Sequence, residues 1–206
     1  MRDLNTGDIL LFKNSSSNSW FNYFYDILIR GFTHSEYTHT AIVLKDPVWI
    51  REDLTGLFVY ESGYESTPDP EDGEKKFGVQ LTELSEVLHN GNPEVFVRYL
   101  EKGQKLVTEN TLKQIHQETH NTLYDFFPGD LLRAAFKVRS DRRYQHTDAM
   151  FCSALVSYMC VRFGFLPQET DWSEVSPADL SSNQTSNFLK FFDCVHYSED
   201  TKFMTG

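Results

Sequence analysis

Three residues whose side chains support nucleophilic catalysis stand far apart in the sequence: His39, Glu61 and Cys152. His39 lies at the start of the apolar stretch 38–44, and Glu61 lies at the end of the stretch 57–62. In an antiparallel pair the start of one strand lies beside the end of the next, and alternate residues share a face. If the two stretches pair, the imidazole therefore meets a carboxylate, which would hold one tautomer and stabilise the imidazolium.

Cys152 is the candidate nucleophile for such a histidine. It falls near the start of an apolar stretch, 148–165, which predicts a helix with Asp148 as its N-cap and Gly164 as its end. The free N–H groups and the dipole at a helix N-terminus favour a thiolate, and a backbone N–H there can hold an oxyanion. Each piece by itself also fits a structural role, because a cysteine in an apolar helix is commonly a small core residue.

Cys160 and Cys194 are interpreted as structural, because the first lies deep in the same helix and the second in an aromatic tail. A rival cluster is the stretch "HQETH", in which His116 and His120 share a helical face at metal-ligand spacing. The zincin pattern needs a glutamate directly after the first histidine, and Gln117 stands there while Glu118 points elsewhere. We therefore expect this stretch to be a solvated helix face.

Periodicity predicts the elements that must position these residues. The predicted strands are 7–13, 38–44, 57–62 and 94–100, and the predicted helices are 20–32, 111–126 and 148–164. Leu112, Ile115, Thr119 and Leu123 give the second helix one inward stripe, and the acidic segment 62–78 is expected to be an exposed loop.

Composition indicates one folded unit over residues 1–206, with 40% apolar residues and no polar linker. The formal charge of −11 argues against broad binding of nucleic acid. The first residues do not read as a signal peptide, and no stretch of about 18 apolar residues predicts a membrane span. Three cysteines in such a chain suggest reduced thiols, so we expect a cytoplasmic protein for which peripheral membrane contact remains possible.

The chain resembles the circularly permuted papain-like enzymes of the NlpC-type superfamily, and in particular the bacterial YiiX-like amidase group and its viral relatives. The resemblance extends over nearly the whole chain in the order of that family. It is carried by "GDILLF" (7–12), "FTHSEYTHTAIVL" (32–44), "VYES" (59–62), "LYDF" (123–126), "FCSALVSYM" (151–159) and "VSPADL" (175–180).

The resemblance implies an α+β fold of the permuted papain-like type, in which an antiparallel sheet or barrel packs against helices and the catalytic cysteine begins a helix. It assigns Cys152 as nucleophile, His39 as base and Glu61 as the polar third member, with Tyr124 as a support or oxyanion donor. It implies no cofactor and no metal. Two departures are Ala154, where the family usually has an acidic residue, and a longer segment over 127–149.

The function implied is a thiol hydrolase or acyltransferase that cleaves an amide or ester through a thioester. The substrate is expected to be a small-molecule, lipid or peptide-like acyl compound, and the oligomeric state stays open. The aromatic helix 20–32 could take an acyl chain and the basic stretch 137–143 an anion, which together favour a lipid or lipid-linked substrate. Burial between other elements explains the helix better, and a solvated loop explains the basic stretch equally well. The alternative function is a catalytically inactive lipid- or protein-binding module of the same fold.

Overall fold

A computed structural model of the chain describes residues 2–13, 36–64, 67–89, 94–123, 150–184 and 188–203. The predicted aromatic helix 20–32, the basic stretch 137–143, the segment 127–149, Tyr124 and Asp148 lie outside these residues. No helix within the described ranges is long and apolar enough to cross a membrane.

The described part of the chain is an α+β structure built on an antiparallel sheet. Its strands are β1 (Ile9–Lys13), β2 (His39–Lys45), β3 (Leu57–Tyr64), β4 (Phe77–Glu83), β5 (Glu94–Arg98), β6 (Leu100–Lys102), β7 (His196–Tyr197) and β8 (Thr201–Lys202). Six of them form one sheet in the order β4-β3-β2-β1-β5-β8, and β6 pairs separately with β7. Its helices are α1 (Leu84–His89), α2 (Glu109–Thr119) and α3 (Cys152–Arg162), with 3-10 turns at Gln104–Leu106, Trp172–Glu174 and Pro177–Leu180.

Alternation along the strands gives the sheet two apolar faces. One face carries Ile9, Leu11, Ile42 and Tyr60 and joins the core formed with α3, whose residues from Cys152 to Val161 are all buried. The other face carries a second cluster that includes Leu10, Phe12, Ala41, Val43, Val59 and the α1 residues Leu84 and Val87. A helix buried on all sides needs apolar neighbours all round, which explains the unbroken apolar run in α3.

The predicted hairpin is present, since β2 and β3 pair antiparallel with Val43 opposite Val59. The predicted helix end at Gly164 is also present. Gly164 has a φ of 73°, and the N–H of Phe165 donates to the Cys160 carbonyl, which is the Schellman arrangement that favours glycine. The helix begins at Cys152 with Phe151 at the cap position, so the predicted start at Asp148 is wrong by several residues.

Two other predictions fail in the neighbourhood of α2. The helix ends at Thr119, not at 126, because Asn121 turns the chain with a φ of 65°, a conformation that asparagine tolerates. Leu123 consequently leaves the inward stripe and is 67% exposed. Strand β4 and helix α1 were not predicted. In β4 the apolar residues are interrupted by Gly78, Gln80 and Thr82.

The acidic segment is not simply exposed. The carboxylate of Asp69 is buried and accepts hydrogen bonds from the backbone N–H groups of Glu71 and Leu81, at 2.8 and 3.1 Å. It also accepts one from the Lys76 ammonium at 2.8 Å. A buried carboxylate needs such donors, so these bonds fold the segment 67–76 into a compact loop.

Candidate active site

The contact predicted between His39 and Glu61 is present. The register of β2 and β3 places the two side chains on the same face of the sheet, and His39 Nε2 lies 2.7 Å from Glu61 Oε2. Glu61 is 1% exposed, whereas the His39 side chain is 20% exposed. The pair therefore combines a buried carboxylate with an imidazole that solvent still reaches, which is the arrangement that a general base requires.

Cys152 lies within hydrogen-bonding reach of His39, and it is the first residue of α3. Burial by itself lowers the pKa of His39, but the hydrogen bonds and charges of Cys152 and Glu61 outweigh it and raise that pKa well above its ordinary value. An imidazole that stays protonated beside a sulfur stabilises the thiolate. The structure thus brings Cys152, His39 and Glu61 together from three distant parts of the chain.

The start of α3 is held in place from two sides. Ser62, the residue after Glu61, donates from its hydroxyl to the Met150 carbonyl at 2.5 Å, and the Met150 N–H donates to the Leu123 carbonyl at 3.0 Å. On the other side, the Ser153 hydroxyl donates to the Val175 carbonyl at 2.6 Å. These bonds fix the first turn of the helix relative to β3, so Cys152 has little freedom to move away from His39.

The stretch "VSPADL" supplies the second of these anchors. Asp179 accepts hydrogen bonds from the backbone N–H and the hydroxyl of Ser176, at 3.0 and 2.5 Å, and the turn Pro177–Leu180 follows. Pro177 fits the first position of this turn because its missing N–H would have no partner there. This turn directly follows Val175 and fixes the position of its carbonyl, which accepts the hydrogen bond from Ser153 in the first turn of α3.

No side chain among the described residues caps the start of α3, where Phe151 occupies the N-cap position. The N–H groups of the first helical turn have no partner within the helix itself. A cysteine at the first position of such a turn has backbone donors close to its sulfur. They are suited to binding the oxygen of a tetrahedral intermediate.

Sequence reasoning missed Gln80, which pairs with Glu61 in the register of β3 and β4. Gln80 is fully buried, and within the described ranges neither its amide atoms nor Glu61 Oε1 have a hydrogen-bond partner. Residues directly opposite each other on adjacent strands have neighbouring side chains, so the Gln80 amide lies next to the Glu61 carboxylate. The signal that would have found Gln80 is the alternation of "FGVQLTE", in which Val79 and Leu81 face one core while Gln80 and Thr82 face the other side.

The other two cysteines differ from Cys152 in their surroundings. Cys160 lies in the core, where burial raises its pKa to about 12. Cys194 is exposed. The burial of Cys160 agrees with the role of a small core residue predicted for it, whereas Cys194 is not a core residue.

A second histidine cluster lies between α2 and the loop 67–76. His116 Nε2 and His120 Nε2 each lie 3.1 Å from a carboxylate oxygen of Glu71, and their side chains are only 14% and 18% exposed. The expectation of a solvated helix face is therefore wrong, because the loop folds over these two histidines. Burial lowers the pKa of both imidazoles and raises the pKa of Glu71. Glu118 points away from them, as predicted, towards Tyr158 and Arg162.

Comparison with known proteins gives little for this chain. No protein-family model matches it, and no curated protein matches it. A crystal structure described as the metalloprotein YiiX from Escherichia coli O157:H7 is similar at 16% identity with a TM-score of 0.40, covering 92% of this chain and 97% of that chain. A similarity of this size assigns neither a family nor an activity.

Proposed function

We propose that this protein is a cysteine-dependent hydrolase or acyltransferase with a permuted papain-like fold. Cys152 would be its nucleophile, His39 its general base and acid, and Glu61 the residue that orients His39. The observation that carries the proposal is the arrangement at the N-terminus of α3, where the imidazole contacts the Glu61 carboxylate at 2.7 Å and also lies within reach of Cys152.

The proposed reaction is acyl transfer through a thioester. The Cys152 thiolate attacks a carbonyl carbon, and the electron pair of the C=O bond moves to oxygen to give a tetrahedral oxyanion. This oxyanion collapses and expels the amine or alcohol, which takes the proton from the His39 imidazolium. Neutral His39 then removes a proton from water or from an acceptor, which attacks the thioester and regenerates the thiolate.

Glu61 would act on His39 alone. Its carboxylate contacts Nε2, which leaves Nδ1 for Cys152 and keeps the ring in one orientation. Because Glu61 is buried, its charge is poorly screened and stabilises the imidazolium effectively. The oxyanion would bind backbone N–H groups in the first turn of α3; Tyr124, which the sequence resemblance adds as a support or donor, lies outside the described residues.

The substrate class follows from this chemistry as an acyl compound, either an amide or an ester, on a small molecule, a lipid or a peptide-like chain. A thioester reacts with whichever nucleophile reaches it. If an alcohol or amine attacks the thioester and water is excluded, the protein is an acyltransferase. If water attacks it, the protein is a hydrolase.

Selective alkylation tests the proposal directly. In a Cys194→Ser background, which removes the exposed thiol, iodoacetamide at neutral pH should modify Cys152 much faster than Cys160, as measured by peptide mass spectrometry. His39→Ala should slow the modification of Cys152 and leave that of Cys160 unchanged. Equal and slow labelling of the two cysteines, with no effect of His39→Ala, would contradict the proposed thiolate–imidazolium pair.

A further inference from the structure

Glu71, His116 and His120 bring three metal-ligating atoms to one place. One atom from each residue lies within 4.8 Å of the other two, and Asp69 and Asp72 stand near the same His120 nitrogen. His116 lies in the last turn of α2 and His120 is the C-cap residue of that helix, while Glu71 comes from the loop 67–76 packed against it. Two imidazoles and one carboxylate form a frequent donor set for zinc in proteins.

A chain of hydrogen bonds favours one tautomer of His116. The Thr119 hydroxyl donates to the Ile115 carbonyl at 2.8 Å, so its single hydrogen is used. The Tyr60 hydroxyl, 2.9 Å from the Thr119 oxygen, must then be the donor in that contact. The Tyr60 oxygen is thereby free to accept from His116 Nδ1, 3.4 Å away. This chain of bonds favours the tautomer of His116 with its proton on Nδ1 and its lone pair on Nε2, which faces Glu71 Oε1 at 3.1 Å.

The same reasoning applies to His120. The Lys76 ammonium lies 2.8 Å from His120 Nε2, and an ammonium can only donate. His120 Nε2 therefore carries a lone pair, and Glu71 Oε2 stands 3.1 Å from it. This carboxylate oxygen is buried and has no hydrogen-bond donor in the part of the chain that the structure describes. Two acceptor atoms thus face each other without a proton between them, an arrangement that a shared cation stabilises.

The spacing of these atoms suits a small cation. Two ligand atoms on one tetrahedral zinc, each at about 2.0–2.1 Å from the metal, are separated by roughly 3.3 Å. Glu71 contacts the two histidines at 3.1 Å, one through each carboxylate oxygen, which is close to that separation. One ligand atom from each of the three residues lies within 4.8 Å of the other two. Imidazole ligands favour zinc and similar transition metals over calcium and magnesium.

From these contacts we infer that His116 Nε2, His120 Nε2 and the Glu71 carboxylate form a binding site for a zinc-like divalent cation. Tyr60 orients His116 from the second layer. Three carboxylates, those of Asp69, Glu71 and Asp72, lie at the site together with the Lys76 ammonium. Lys76 already contacts Asp69 and Asp72 at 2.8 and 2.6 Å, so it keeps both partners when the cation replaces it at His120.

The cation would fasten the loop 67–76 to α2. With three protein ligands its fourth position is left for water or for Asp72, whose carboxylate lies 3.8 Å from His120 Nε2. The site is independent of the proposed acyl-transfer chemistry, because none of its ligands belongs to the cluster of Cys152, His39 and Glu61. Its expected contribution is to the stability of the loop and of strand β4 that follows it.

Metal titration of the full chain tests this inference. After removal of metal with a chelator, the wild-type protein should bind one zinc per chain, measured by elemental analysis after gel filtration. Cobalt added instead should give the visible bands of a low-coordinate site, which zinc then abolishes. His116→Ala and His120→Ala should each lose the bound zinc, and Glu71→Gln, which keeps the shape of the side chain, should weaken binding.

Three matched variants make the result specific. His196→Ala, which removes an exposed histidine elsewhere, should bind zinc as the wild type does. Cys152→Ser should also retain the zinc, which separates this site from the cysteine and histidine at the start of α3. Tyr60→Phe should lower the affinity by roughly 10- to 100-fold, because His116 Nδ1 loses the oxygen that orients it.

The inference is overturned if the wild-type chain binds no stoichiometric zinc, or if zinc binding survives His116→Ala and His120→Ala together. It is also overturned if Cys152→Ser loses the zinc while folded, as judged by circular dichroism. None of these results depends on whether the protein hydrolyses an acyl compound.

Discussion

The two histidine clusters lie on opposite faces of the same strand and behave in opposite ways. Tyr60 and Glu61 are neighbours in β3; Tyr60 points to His116, and Glu61 points to His39. The pKa of His39 is raised well above its ordinary value, whereas burial lowers the pKa of His116. Both imidazoles contact a carboxylate, so the presence of a carboxylate does not decide the difference.

The deciding factor is what else surrounds each ring. His39 stands between a sulfur and a buried carboxylate, two groups that gain from a protonated partner. His116 and His120 face one carboxylate between them, and the positive charge of Lys76 lies within 2.8 Å of His120. Neutral imidazoles with outward lone pairs are ligands, while a protonated imidazole beside a thiolate is an acid and base. The charges around each ring therefore separate the raised pKa of His39 from the lowered pKa of His116 and His120.

Loss of the nucleophile should give the largest effect. Cys152→Ser should lower turnover of an activated acyl ester such as p-nitrophenyl acetate by roughly 10⁴-fold or more, because the poorly acidic hydroxyl does not replace the thiolate. Release of nitrophenol measured under saturating substrate would show it. Cys194→Ser is the control and should keep full activity. Unchanged turnover in Cys152→Ser would place the chemistry elsewhere.

Removing the charge of Glu61 should show that it acts through His39. The pKa of His39 is raised, so its imidazolium form is complete below the ordinary pKa near 6.5 and is lost as the pH rises through the raised value. Glu61→Gln should lower that pKa, shift the alkaline limb of the rate profile to lower pH and reduce kcat/KM by about 10²-fold or more.

The measurement for Glu61→Gln is the pH dependence of kcat/KM, with alkylation of Cys152 as a second readout. Glu86→Gln, which alters an exposed carboxylate on α1, should leave the profile unchanged. A profile that keeps its shape and position in Glu61→Gln would mean that Glu61 is a structural residue only.

Mutation of the loop that carries Glu71 should change the stability of the folded protein. Asp69→Ala leaves the Leu81 N–H without its acceptor and Lys76 without one of its two carboxylates. We expect a loss of about 2 kcal/mol in the free energy of unfolding, measured by urea denaturation of the metal-free chain. Asp53→Ala, at an exposed carboxylate, should cost far less. Equal losses in the two variants would show that the loop is not held by Asp69.

The smallest effect on stability and reactivity should come from loss of the Ser62–Met150 hydrogen bond, which joins β3 to the start of α3. Ser62→Ala removes the hydrogen bond to the Met150 carbonyl, which is buried. We expect a loss of about 1 kcal/mol in unfolding free energy and slower alkylation of Cys152, because the start of α3 is less firmly placed. Ser85→Ala, at an exposed position, serves as the control. Normal alkylation in Ser62→Ala would show that the other bonds suffice.

Much of the local structure could be predicted from periodicity. The apolar runs predicted β1, β2, β3 and β5 within a few residues, and alternation alone placed His39 and Glu61 on one face of the sheet. Strand β4 was missed because its second face carries two buried polar residues, Gln80 opposite Glu61 and Thr82 opposite Val59. A strand that alternates apolar and polar residues is expected to expose its polar face to solvent. In β4 the polar face is buried instead.

Local sequence was enough to specify the hairpin that joins His39 to Glu61 and the end of α3 at Gly164, because strand alternation and glycine conformation depend on nearby residues. The meeting of Cys152 with His39, and of Glu71 with His116 and His120, came from the packed fold instead. The loop 67–76 reaches the end of α2 through the contacts of Glu71 and Lys76 with its histidines, and α3 reaches β3 through Ser62. Contacts between segments so far apart in the chain depend on packing, which periodicity does not encode.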